Sequence, residues 1–279
     1  MANETTSSTV SELYTEIVAE ALFVASEQSI MRNLVRNYTI AGGGKSVEVP
    51  IYANVSAAAV NEATDLSNTA INPTSVTITA SEVGIMTTLT DLARNSASRN
   101  VAADIGRLFG EAIARKVDAD LSALFTGFST ERGGGAGNEL TVQDLFEAAA
   151  DLRTANAPAP YYGVFHPKQI FNVKKSLTNT FVGRDTELSN EAMRSGFVGN
   201  IAGVQIFESS NVSVDGSDDS IGGVFSQDAL ALAMMQDLKI ESQRDASLRA
   251  DELVATAVFG VSEIHDSYGV KITADTLAA

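Results

Sequence analysis

The sequence predicts an α+β protein. Three observations lead there. One long apolar stripe recurs at helical spacing over residues 100–126, short apolar runs of strand length lie on both sides of it, and over twenty small and polar residues separate two of those runs.

The elements follow in chain order. Over residues 11–37 the spacing of Leu13, Ile17, Leu22, Ile30, Leu34 and Val35 predicts a helix capped by Ser11. Glu12, Glu16 and Glu20 at its head and Arg32 and Arg36 at its tail suit the macrodipole. Ala41-Gly42-Gly43-Gly44 ends it as a flexible stretch. Val47, Val49 and Ile51 alternate with Ser46, Glu48 and Pro50, a strand pattern, and residues 76–80 and 83–89 read as two more strands. Residues 45–92 therefore look like a long two-stranded arm whose tip, within 53–73, is weakly structured. An isolated hairpin is marginal in water, and a structureless loop of this length is unusual inside a compact domain. The arm is expected to lie on another subunit.

The clearest helix comes next. Val101, Ile105, Leu108, Phe109, Ala112, Val117, Leu121, Leu124, Phe125 and Phe128 mark its stripe, and Asp104, Arg107, Glu111, Arg115, Asp118 and Asp120 fall mostly off it. Residues 133–137, Gly-Gly-Gly-Ala-Gly, break it. Thr141 with Asp144 marks a helix start, continued by Leu145, Phe146, Ala149 and Leu152 and stopped by Ala157-Pro158-Ala159-Pro160. Residues 161–165 form a strand, and His166-Pro167 opens a short helix through Leu177. Residues 178–200 read as polar and irregular. Residues 201–207, turning at Gly203, and 224–235 supply further short strands or a buried segment. Leu238-Ile240-Ser242, 253–261 and 268–272 read as strands of a sheet.

Composition narrows the function. With 279 residues and 44% apolar content a sizeable core is within reach. A compact chain of this mass exposes roughly 11,500 Å² against roughly 42,500 Å² unfolded. Thirty-five acidic against 19 basic residues give a net charge of −16, which argues against a protein that grips nucleic acid. Zero Cys excludes disulfides, thiolate metal sites and Cys nucleophiles, and two His leave little imidazole chemistry. The N-terminus has no basic start or apolar core, and no apolar run approaches the ~20 residues of a membrane span. A soluble product made in a cytoplasm is expected.

The motifs that suggest chemistry are weak. Gly44-Lys45-Ser46 resembles a phosphate loop, but Thr39 stands where the first Gly belongs and a strand pattern follows, so a turn is favoured. The glycine run at 133–137 fails the dinucleotide fingerprint at Asn138. Asp215, Asp218 and Asp219 lack calcium-loop spacing and read as a solvated turn rather than a cation site. His166 and His265 accompany neither a nucleophile elbow nor a zinc-binding His pair. No catalytic, cofactor-binding or metal residue is assigned. Arg244, Asp245, Arg249, Asp251 and Glu252 form a mixed-charge cluster between two strands. Such a run is ordinarily a solvated face, with an inter-subunit salt-bridge patch as the second reading.

Several segments, taken in order, resemble the major capsid proteins of tailed bacteriophages, the HK-97-like family. Gly44-Lys45-Ser46-Val47-Glu48-Val49-Pro50 resembles the start of that family's extended loop, and Tyr162-Gly163-Val164-Phe165-His166-Pro167-Lys168-Gln169 its strand-His-Pro-helix step. Gly199-Asn200-Ile201-Ala202-Gly203-Val204-Gln205-Ile206 resembles the Gly-rich hairpin of the axial domain. Residues 238–249, Glu252-Leu253-Val254-Ala255-Thr256, Phe259-Gly260-Val261 and Gly269-Val270-Lys271-Ile272 resemble the closing strands of the peripheral domain. The order of all of them, rather than any single motif, carries the resemblance.

The resemblance implies an HK-97-like layout: an N-terminal arm at 1–37, an extended β-hairpin loop at 38–93, a peripheral domain with a long spine helix at 94–130, an axial domain at 131–235, and the peripheral domain's closing strands at 236–279. It implies hexamers and pentamers closing an icosahedral shell around double-stranded DNA, without sequence-specific binding, in the host bacterial cytoplasm, and no enzyme activity or cofactor. An acidic wall suits that role, since tight phosphate binding would hinder packing and ejection. No Lys or Arg occurs from Ser46 through Leu92, so the loop-Lys to Asn cross-link of some members is not expected. Fewer than forty-five residues precede the loop, so a separate scaffolding protein or an already trimmed chain is expected, with a portal and room for a decoration protein. Glu62 and Asp65 near the loop tip are expected to pair with basic residues of a neighbour, and Arg244 and Arg249 are candidates for salt bridges between capsomers. The rivals are an encapsulin-type cargo shell, a tail or surface-layer subunit, and an α+β enzyme.

Overall fold

The computed structural model describes residues 21, 29–41, 44–52, 55, 57, 59, 70–96, 101–181 and 199–276. Its strands fall into three sheets. Strands β1 (Arg36–Thr39), β10 (Leu230–Asp245), β11 (Ala250–Glu263) and β4 (Ser81–Thr90) form a four-stranded sheet in the order β1-β10-β11-β4. Strands β5 (Glu131–Arg132), β12 (Gly269–Asp275), β9 (Asp219–Ser226), β6 (Tyr161–Phe165), β8 (Val204–Glu208) and β7 (Asn200–Ile201) form a six-stranded sheet in that order. Among the described residues, strands β2 (Ser46–Ile51) and β3 (Thr74–Thr79) pair only with each other.

Among the described residues, the helices with both ends placed are α1 (Asp91–Ser96), α2 (Val101–Ala123), α3 (Val142–Thr154) and α4 (Pro167–Phe181), and Ala21 is also helical. Helix α2 is the expected long helix, extended by a 3-10 turn at Leu124–Gly127. Its Phe109, Ile113, Val117 and Leu121, four residues apart in turn, are buried against one face of the four-stranded sheet. On β11, Leu253, Ala255, Ala257 and Phe259 alternate toward that helix, as a strand's period of two requires. Beyond the helix end, Phe125 stacks on Phe128 and lies 5.5 Å from Phe225 of β9, so one aromatic cluster joins α2 to the six-stranded sheet.

Helix α3 buries Leu145, Ala148, Ala149 and Leu152, again one stripe. Thr141 and Asp144 form the reciprocal capping box that their spacing predicts: the Thr141 hydroxyl accepts the Asp144 N–H, and the Asp144 carboxylate accepts the Thr141 N–H at 2.8 Å. Strand β6, helix α4 and parallel β8 make a crossover unit. Helix α4 runs four residues past the expected Leu177. The β7–β8 hairpin turns through Ala202 and Gly203 at φ +58° and +87°, the two left-handed positions of a tight hairpin turn, which Gly203 meets without a Cβ clash.

Three sequence expectations are corrected. The helix expected over 11–37 does not continue to Asn37, since Met31–Asn33 is a 3-10 turn and Arg36–Thr39 is a strand parallel to β10. The apolar spacing of Ile30, Leu34 and Val35 fits the core that this short connection faces as well as it fits a helix. Residues 224–235 belong to two long strands: β9 and the 16-residue β10, whose pairing with β11 slips between Met234 and Lys239. The strand at 269–275 leaves β11 and pairs with β9, 44 to 56 residues earlier in sequence, by the register Gly269↔Phe225 to Asp275↔Asp219. No described helix is long and apolar enough to cross a membrane.

Candidate assembly surfaces

Strands β2 and β3 form the root of the arm. In their register, Val47, Val49 and Ile51 share one face with Val76 and Ile78, and Glu48, Pro50, Ser75 and Thr77 share the other. The apolar face is not free. Val49 and Ile78 are buried with Ile40, Ala80, Ala231, Ala233 and Ile264, on the face of the four-stranded sheet opposite α2. Beyond the root, Tyr52, Val55 and Ile71 are exposed by 63%, 59% and 56%. The only charged residues between Ser46 and Leu92 are acidic: Glu48, Glu62, Asp65, Glu82 and Asp91. Exposed apolar side chains among charges that are all acidic fit an apolar surface rimmed by Lys or Arg. Glu62 and Asp65 themselves lie outside the described residues.

The far end of the four-stranded sheet carries the mixed-charge cluster. Asp245 starts the β10–β11 turn by accepting the Ser247 hydroxyl at 2.6 Å and the Ser247 and Leu248 N–H groups at 2.8 and 3.2 Å. These bonds, the Ser247 hydroxyl first, hold its carboxyl below the ordinary value. Arg244 donates to both Asp91 oxygens at 2.8 and 2.6 Å and to Asp251 at 3.2 Å. Asp91, then Asp251, raises the guanidinium pKa above its ordinary value. Arg244 thus clamps the end of β4 to β10 and β11 within its own subunit. Arg249, at φ +50°, closes the turn, and its carbonyl accepts the Asp91 N–H at 3.0 Å. Its side chain is exposed and makes no salt bridge among the described residues. The adjacent leucines Leu92 and Leu248 are 79% and 58% exposed.

A third surface is the outward face of α2. Arg107 and Arg115 reach Glu111 only at 3.8 Å, and Leu108 between them is 58% exposed. Exposed pairs this loose contribute little, which leaves both guanidinium groups available to another partner. On the inward side of the same helix, Asp118 is 1% exposed. One of its oxygens accepts the Ser29 hydroxyl at 2.7 Å and the Met31 N–H at 3.2 Å, and the other accepts the Ile30 N–H at 3.1 Å. Burial raises its carboxyl pKa, against the lowering effect of these bonds. Sequence reasoning placed Asp118 off the helical stripe and missed this anchor, because its partners lie 87 to 89 residues away.

The remaining polar motifs are structural. Asp215 accepts the Ser217 and Asp219 N–H groups at 2.8 and 2.9 Å, and Asp219 accepts the Gly137 N–H at 2.8 Å, so the aspartate trio and the glycine run build turns. Ser46, after Lys45, begins β2 rather than a helix. His166 accepts the Lys168 N–H at 3.4 Å, and His265 packs on Tyr268 with ring centres 4.6 Å apart. Burial lowers the pKa of both. Among the described residues no group of three or more His, Asp or Glu is placed to hold a metal ion.

A spine helix laid across one sheet, a two-stranded arm rooted on the sheet's other face, and a second sheet joined at the helix end define an HK-97-like capsid fold. The family model for phage capsid proteins matches residues 73–272, well over half the chain, and the chain belongs to that family. No curated protein matches it. Solved structures that share the fold include phage capsids. That of cyanophage P-SCSP1u superposes with a TM-score of 0.68 at 20% identity over 88% of each chain. Mycobacterium phage Che8 gives 0.64 at 22% identity over 82% of this chain and 84% of its own. The capsid of Ralstonia phage GP4 gives 0.70 at only 10% identity over 88% of each. At these identities the likeness is one of fold. The protein is a structural subunit of a phage capsid shell.

Proposed function

We propose that this subunit assembles as hexamers and pentamers into an icosahedral shell enclosing double-stranded DNA, without sequence-specific contacts, in the cytoplasm of the host bacterium. The observation that carries this reading is the arm. Its exposed Tyr52, Val55 and Ile71 accompany charges that are all acidic, whereas α2 of another copy presents Arg107, Leu108 and Arg115 outward. In this reading Glu62 and Asp65 meet cationic groups of a neighbour. Arg249 and the exposed Leu92 and Leu248 meet another capsomer, and Arg244 supports that contact by holding the sheet end in shape.

The division into an N-terminal arm, an extended loop, and peripheral and axial parts belongs to the same proposal, with β12 assigned to the axial sheet. A separate scaffolding protein and a portal complete the assembly, and a decoration protein has room on the outside. The subunit itself is structural and catalyses nothing.

Electron microscopy of the full chain, expressed alone and with its scaffold, tests the reading, followed by nucleic-acid analysis of purified particles from infected cells. Closed shells built of five- and six-membered rings and filled with DNA are expected. Tubes, flat sheets, or shells that enclose protein cargo and no DNA would overturn it.

A further inference from the structure

The base of the arm touches its own subunit at one point where no side chain fits. Gly260 of β11 lies opposite Ala233 of β10, on the face that receives the arm. A Cβ at Gly260 would stand 2.3 Å from the Thr79 carbonyl oxygen, 2.8 Å from its carbon and 3.1 Å from the Ala80 nitrogen. All three are backbone atoms, at the place where β3 leaves the arm for β4. The Ala80 N–H donates to the Lys45 carbonyl at 2.8 Å, so the two ends of the arm are tied together at that place. Around it, Ala231 and Ala233 form a small-residue floor on which Val49 and Ile78 are buried.

We propose that Gly260 is a positioning residue for assembly: by letting the arm backbone lie directly on β11, it fixes the arm's angle to the subunit before a neighbour is met. The proposal rests on the reading of the arm as an inter-subunit contact. A methyl group at 260 cannot be accommodated by trimming or rotating a neighbouring side chain. Restoring an ordinary carbon–oxygen approach requires the arm root to move by roughly 1 Å. Strands of six residues extend ~20 Å from that pivot, so a small shift at the root displaces the tip by more. An arm held this way meets its partner already ordered, and the ordering entropy is spent in folding rather than in assembly.

Hydrogen exchange on the full-length wild-type chain, dispersed at low concentration, tests the first half of this. Amides paired between 46–51 and 74–79 are expected to exchange at least ~100-fold more slowly than unstructured peptide. Gly260→Ala is expected to cut that protection at least ~10-fold while leaving α3 protected. Gly84→Ala is the control. It lies on the same sheet, where a Cβ would meet Ala255 and Thr256 atoms at 3.2 and 3.3 Å, and it should leave the arm unchanged.

Microscopy then tests the second half. Gly260→Ala is expected to give malformed shells or less than a tenth of the normal yield, and Gly84→Ala normal shells. An unprotected arm in the wild-type chain would overturn the proposal, and that measurement decides the matter if Gly260→Ala fails to fold. Normal shells from a folded Gly260→Ala would overturn it too. If the wild type forms no shell under any condition, the reading as a shell subunit fails separately, and the exchange data still report whether the arm is docked.

Discussion

Asp118 shows how one buried charge can organise a segment distant in sequence. Asp118→Ala would leave the Ser29 hydroxyl and the Ile30 and Met31 N–H groups without their acceptor, a loss on the order of 3 kcal/mol given the ~1–3 kcal/mol for each stranded buried group and partial relaxation. The pH dependence follows from the raised pKa. The folded chain holds the Asp118 proton more tightly than the unfolded chain does. Stability from this group is therefore fully present below the ordinary aspartate value and lost as pH rises through the raised folded value. The two histidines act oppositely: burial lowers their pKa, so their contribution is present above the ordinary value near 6.5 and lost as pH falls from there through the lowered folded value. Subtracting the Asp118→Ala unfolding curve from the wild-type curve removes the histidine term. The difference in stability is expected to widen from pH 7 toward pH 4, measured by denaturant unfolding. A difference that narrows over that range would contradict the desolvated carboxylate.

At the scale of elements, the arm and the sheet end behave differently. The arm root is packed on its own subunit by alternating apolar residues, while everything that distinguishes the outer arm is its acidity and exposed Tyr52, Val55 and Ile71. Glu62→Lys with Asp65→Lys is therefore expected to reduce particle yield at least ~10-fold with an unchanged unfolding midpoint, if charge pairing with a neighbour is what these two residues supply. Normal yield in a particle assay would remove these two residues from the contact. The helices were legible because their evidence is local. The stripe from Phe109 to Leu121 and the Thr141–Asp144 pair are readable from a few neighbouring residues. Strand β1 was not, since Leu34 and Val35 satisfy a helical spacing and a short buried connection equally. Gly260 did carry a signal, a lone glycine inside an apolar strand run, but what approaches it cannot be read from that run.

For the whole molecule, the charge of −16 and the absence of Cys set the terms of assembly. Without Cys, and without a Lys between Ser46 and Leu92, the shell is expected to rest on noncovalent contacts. Mature particles boiled in detergent are expected to run as one monomer band on a denaturing gel, and a ladder of multimers would refute this. The sequence alone determined the helical and extended periods, the turn at Gly203, the acidic arm and the order of segments that resembles a capsid subunit. Each of these is set by side chains within a few residues of one another. Only the tertiary structure decided that β1 pairs with β10 some 195 residues later, that β12 crosses to the second sheet, that Asp118 receives residues 29–31, and that Gly260 lies under the arm. Those contacts join distant segments through backbone groups that every residue carries alike, so no local pattern in the sequence marks which partner each will meet.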